Sequence, residues 1–196
     1  MKKRLRVTFN APLTVLFSLA CVAVTLGGYL TKDNLIIRYF STHAGAWDDP
    51  MVYVRLFTHV LGHTGMAHLV ANISLVLLLG PALEERYGWR RLLGVILLTA
   101  FLTGIAHNLL FPGVYLLGAS GVVFAFILLT SFMEFREGEL PLTVILVALV
   151  YLGQQVWDGL TVKDNISNLT HIIGGLLGAA AGYLLNRKNN GKREWR

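Results

Sequence analysis

Six apolar runs, separated by short charged or turn-rich connections, limit what this chain can fold into more than any other feature. They fall at about 11–30, 66–83, 91–110, 118–133, 141–157 and 169–185. A helix needs about 20 predominantly apolar residues to cross the hydrocarbon of a bilayer. Composition agrees, with 55% hydrophobic and only 14% charged residues, where a soluble domain carries about 25% charged. The length of 196 residues accommodates one compact unit and no second domain. A single cysteine, Cys21, excludes an internal disulfide. The expectation is an all-α membrane protein: one six-helix domain over residues 1–186, then a basic tail over 187–196, with the chain reading as a polar, disordered tail from Asn186 on.

Net charge of +6 raises the question of a nucleic-acid partner. Its distribution answers it. With six spans the termini share a side, and 13 of the 17 Lys and Arg residues lie there. The other four, Lys32, Arg38, Arg55 and Lys163, lie opposite. Basic residues accumulate in cytoplasmic loops, so both termini are expected in the cytoplasm and no nucleic acid is implied. Met1-Lys2-Lys3-Arg4 before an apolar run also has the form of a signal peptide. However, Ser18-Leu19-Ala20-Cys21 is a poor lipoprotein-type cleavage site and 11–30 is long enough to span, so the first run reads as an uncleaved helix.

The first outer connection, about 31–65, is long and carries Tyr39, Phe40, Trp47, Tyr53 and Phe57. Aromatic residues prefer the headgroup level, which places this loop in the interface. The fourth run is short: 118–132 makes about 22 Å of helix against about 30 Å of hydrocarbon. Pro112 and Gly113 precede it. Non-helical backbone at that depth is tolerated only when protein surrounds it or it lines a wet cavity. Ser120, at the start of the short helix, is thereby expected on the floor of a cavity below the outer surface.

Polar side chains inside spans are costly and point to function. His68 and Asn72 open the second span at i and i+4, on one face. His171 opens the sixth, with Gly174, Gly175, Gly178 and Gly182 within about 60° of its direction. A glycine stripe admits a close neighbour. If that neighbour is the fourth helix, with Gly121 facing it, His171 comes near Ser120. A serine hydroxyl needs a base, a neutral histidine serves as one near pH 7, and the resulting oxyanion needs donors. Side-chain N–H groups of His68 and Asn72 and the free backbone N–H groups at the helix start can supply them. These are the parts of acyl transfer, without an obvious carboxylate.

Together, Gly118-Ala119-Ser120-Gly121, His171 with its glycines, and His63, His68 and Asn72 at their spacing resemble the rhomboid intramembrane serine proteases. Arg55 and Glu84 fall at motif positions of that family as well. The resemblance covers roughly 50–185. It implies a six-transmembrane-helix rhomboid bundle, Ser120 as nucleophile, His171 as general base, and His68 and Asn72 at the oxyanion hole. Its substrate would be a single-pass membrane protein cut in or next to its transmembrane segment. Gly118, Gly121, Phe124, Arg55, Glu84, Gly174 and Gly178 would shape the site. Two positions depart from the common pattern: Phe124 where a tyrosine is frequent, and Val54 where a tryptophan precedes the arginine. Phe124 can still stack on the histidine.

Other readings compete. His68 and Asn72 can form a purely structural pair between helices. Zinc on His59, His63 and His68 is disfavoured, because no His-Glu-x-x-His helix exists and a five-residue spacing is poor for one face. No metal or other cofactor is therefore expected. His43 reads as exposed loop, and His107 as a polar residue near the outer end of the third span. A transporter would show paired intramembrane charges or inverted repeats. A catalytically silent rhomboid-like protein that binds membrane clients is the alternative function; such relatives typically lack Ser120 or His171. In the leading reading the 158–168 loop and the fifth span gate lateral entry of substrate. The expected location is the plasma membrane of a prokaryote, the lipid bilayer itself being a partner; substrate identity and oligomeric state are not written in the chain.

Overall fold

In the computed structural model, residues 7–135, 139–161 and 166–190 are described. Of the basic residues counted above, Lys2, Lys3, Arg4, Arg6, Arg136, Lys163, Lys192, Arg193 and Arg196 lie outside them, as does the middle of the 158–168 loop. Helices dominate: α1 (Pro12–Leu30), α2 (Asn34–Tyr39), α3 (Pro50–Thr58), a 3-10 turn (His59–Leu61), α4 (Met66–Tyr87), α5 (Trp89–Leu110), α6 (Ser120–Ser131), α7 (Leu142–Thr161) and α8 (Ile166–Asn190). Five of them, α1, α4, α5, α7 and α8, are long and apolar enough to cross a membrane, and α6 is a shorter apolar helix.

Why α6 is short and central follows from its sequence. Its 12 residues, SGVVFAFILLTS, are apolar all round, and a helix with no polar face belongs inside. Val122, Ala125, Leu128 and Leu129 are fully buried, and α4, α5, α7 and α8 all touch α6. The outer helices do the reverse. Leu78, Leu98, Leu149 and Leu184 face outward and are exposed on the bare protein, as side chains that meet lipid should be.

The non-helical approach to α6 is satisfied by protein. Thr42 and Leu116 exchange both backbone hydrogen bonds, at 2.9 and 2.8 Å, and Gly118 N–H donates to the His59 carbonyl at 3.0 Å. His107 Nε2 lies 2.9 Å from the Val114 carbonyl and donates to it. The 31–65 segment is therefore more than an interfacial loop. It carries α2, α3 and the 3-10 turn, and its backbone completes the hydrogen bonds that a dipping strand would lose in lipid. His43 is half-buried, not freely exposed: its ring tilts against Tyr115 at 4.6 Å.

At the opposite end Glu84 closes α4 onto α1. Its carboxylate accepts from Leu13 N (3.0 Å), Thr14 N (2.9 Å) and Thr14 Oγ1 (2.8 Å). The two N–H groups are orphan donors of the first turn of α1, and a negative charge there complements the helix dipole. The expectation of a polar tail from Asn186 needs correction. Helix α8 runs on to Asn190, and Asn186 is buried. Its amide donates to Tyr87 Oη, the Phe132 carbonyl and the Gly182 carbonyl, at 2.9, 2.9 and 2.8 Å. An asparagine reads as a helix-end residue by propensity, but here it ties the last turn of α8 to the ends of α4 and α6.

Candidate active site

Ser120 occupies the first turn of α6 because Gly118 allows the chain to turn there. Gly118 has φ +127°, a region L side chains rarely adopt. A Cβ at this position would also stand 2.7 and 2.9 Å from His68 Cε1 and Nε2. Glycine thus brings the His68 ring against the backbone just before the serine. Free N–H groups of the first turn surround Ser120.

His171 is brought over α6 by glycine. A Cβ on Gly174 would strike the Gly121 carbonyl, and one on Gly178 the Ala125 carbonyl. Gly182, one turn further on, faces the Phe132 side chain instead, where a Cβ would stand 2.6 Å from Phe132 Cβ. The seam is backbone against backbone for two turns, and it sets the height of His171 relative to Ser120. Gly175 behaves differently from the rest of the stripe, facing Leu152 of α7. Phe124, one turn into α6, stacks on the His171 ring with centroids 4.3 Å apart and planes 4° from parallel.

Ser120, His171, His68 and Asn72 line one cavity of about 500 Å³, with Thr64, Tyr115 and Ser167 around them. His68 Nδ1 is 3.2 Å from Thr64 Oγ1, and its ring meets that of His63 edge-on at 5.0 Å. Asn72 commits one amide N–H to the His68 carbonyl, at 3.1 Å. His59 Nε2 donates to the Ala100 carbonyl of α5, at 3.0 Å. Burial pushes His59 and His63 down to about 4, so both are neutral at pH 7 and act as hydrogen-bonding groups behind the cavity lining. Arg55 lies on α3, away from this cavity, and pairs with Asp49 at 3.3 Å. Asp49 caps α3 through Met51 N. Glu84 lies three residues before Tyr87, at the far end of α4.

One polar contact at the site has no counterpart in the sequence reading. Gln155, buried on α7, places Oε1 2.7 Å from His171 Nδ1. A glutamine in the apolar run LTVILVALVYLGQQVWDGLT was the available signal. Its neighbour Gln154 carries the same signal, and only the fold shows which of the two turns inward.

A family model described as Rhomboid domain matches residues 50–188. The Rhomboid protease GlpG of Salmonella typhi is 29% identical over 183 residues, a stretch that covers 88% of this chain and 63% of that relative. Those of Salmonella newport (strain SL254) and Salmonella typhimurium match to the same extent. The chain thus spans 63% of the length of these curated relatives.

Proposed function

The chain belongs to the rhomboid family and is a multi-pass membrane protein, and from that premise we propose that it is an intramembrane serine protease. The carrying observation is that Ser120 and His171, from helices locked together by glycine, open onto one cavity that also holds His68 and Asn72. All six apolar helices serve as spans, both termini are cytoplasmic, and the cavity opens toward the outer side of a prokaryotic plasma membrane. Residues 1–186 form the catalytic domain, with a short basic end over 187–196.

In this reading Ser120 Oγ attacks a peptide carbonyl carbon while His171 Nε2 takes its proton. The carbonyl oxygen becomes an oxyanion, met by the first backbone N–H groups of α6 and by side-chain N–H groups of His68 and Asn72. Collapse breaks the C–N bond, and His171 returns the proton to the leaving amine. Water then attacks the acyl-enzyme with His171 again as base, releasing the new carboxylate and restoring Ser120. Phe124 holds the imidazole plane. Gly118, Gly121, Gly174 and Gly178 set the approach of α6 and α8, Arg55 orders the first loop, and Glu84 anchors α4 to α1. The substrate is a single-pass membrane protein whose helix must unwind locally before its backbone can reach Ser120.

The test is labelling by a fluorophosphonate of the protein in lipid, comparing wild type with Ser120→Ala and His171→Ala. Labelling confined to wild type is the expected outcome, with cleavage of a transmembrane reporter following the same pattern. A folded wild type that neither labels nor cleaves would overturn the protease reading in favour of a client-binding protein without catalysis.

A further inference from the structure

We infer that Gln155 is a positioning residue for the base, holding His171 through Nδ1–H so that Nε2 presents its lone pair to Ser120. This rests on the protease reading above. A carbonyl oxygen only accepts, so the 2.7 Å contact requires the hydrogen on Nδ1. Neutral imidazole then has its acceptor at Nε2, the nitrogen a serine hydroxyl must meet. Stacking on Phe124 fixes the plane of the ring, but a ring can still turn within its plane. The bond to Gln155 selects one orientation and one tautomer.

The placement of Gln155 is otherwise hard to account for. An amide inside a span is costly without a partner. The buried residues of α7 are Val144 and Gln155 alone, in a helix whose remaining side chains are mostly exposed to lipid. When His171 takes the serine proton, its Nδ1–H bond becomes charge-assisted and strengthens. The imidazolium is thereby supported without a second charge in the membrane. Because the acceptor stands on α7 and the base on α8, moving α7 outward removes the orienting bond.

Solid-state NMR of the ¹⁵N-histidine-labelled protein in lipid reads the tautomer directly. Wild-type His171 should carry its hydrogen on Nδ1, and Gln155→Leu should give a mixture. With the transmembrane reporter, Gln155→Leu should lower kcat about 10- to 100-fold, the scale seen when groups orienting a metal-bound histidine are lost, with KM nearly unchanged. Gln155→Glu keeps an acceptor and should recover most of kcat. An Nε2-protonated His171 in wild type overturns the inference even if Gln155→Leu does not fold, as does a folded Gln155→Leu with unchanged kcat. A wild type with the expected tautomer but no fluorophosphonate labelling defeats the protease reading while leaving the Gln155 hold intact.

Discussion

Helix α8 meets α6 and α7 through two seams of opposite construction. Against α6 the contact is main chain on main chain: Gly174 on Gly121, Gly178 on Ala125. Against α7 the contacts are side-chain tips: Leu152 on Gly175 and Gln155 on His171. Only 11% of α7 is buried within the protein, against 33–44% for the other four long helices. Backbone surfaces have no rotamers with which to yield, so the first seam has one register. A seam of side-chain tips with little buried area opens at lower cost. Ser120 and His171 thus ride on the rigid seam, and Gln155, whose Oε1 meets His171 Nδ1, rides on the loose one.

The comparison breaks most visibly if the glycines are exchanged. Gly174→Ala and Gly178→Ala each drive a methyl into a carbonyl of α6 that cannot rotate away. Each should cost about 1–3 kcal/mol or more, read as a lower unfolding midpoint in detergent, and serine labelling should fall with it. Asn186→Leu comes next. It leaves the Phe132 carbonyl and Tyr87 Oη without the Asn186 side-chain donor, for a loss of about 1–3 kcal/mol. The smallest effect belongs to Gly175→Ala, whose methyl meets the end of the Leu152 side chain. Leu152 can swing outward toward lipid, so stability should fall by less than about 1 kcal/mol, below the range for overpacking a close-packed core. A midpoint shift for Gly175→Ala equal to that of Gly174→Ala would sink the distinction between the seams.

The span pattern was legible because hydrocarbon thickness imposes a length on any apolar helix. The runs at 11–30, 66–83 and 91–110 match α1, α4 and α5 to within a few residues at most ends. The short fourth run was equally plain, and α6 is shorter still. The first loop was not legible as two short helices and a turn. Six- and nine-residue helices carry too little periodicity to stand out from an aromatic-rich loop, and tertiary contacts hold them. Asn186 was missed for a related reason: a polar residue beside Arg187 and Lys188 looks like the start of a tail until its three acceptors are assembled around it.

At the site, residue types and helical spacing single out Ser120, His171, His68 and Asn72, because a bilayer makes every unexplained polar group conspicuous. The glycine stripe states that something approaches α8 closely. By itself the sequence determined an apolar helical membrane protein with a short central helix and a small set of polar side chains near the ends of its spans. Tertiary structure decided which helix fills each part of the stripe, sending Gly174 and Gly178 to α6 and Gly175 to α7. It also decided that Gln155, and not Gln154, reaches His171. The reason is geometric. Helical periodicity fixes which residues share a face, but the rotation of α7 about its own axis depends on which neighbours it packs against, and those neighbours lie far along the chain.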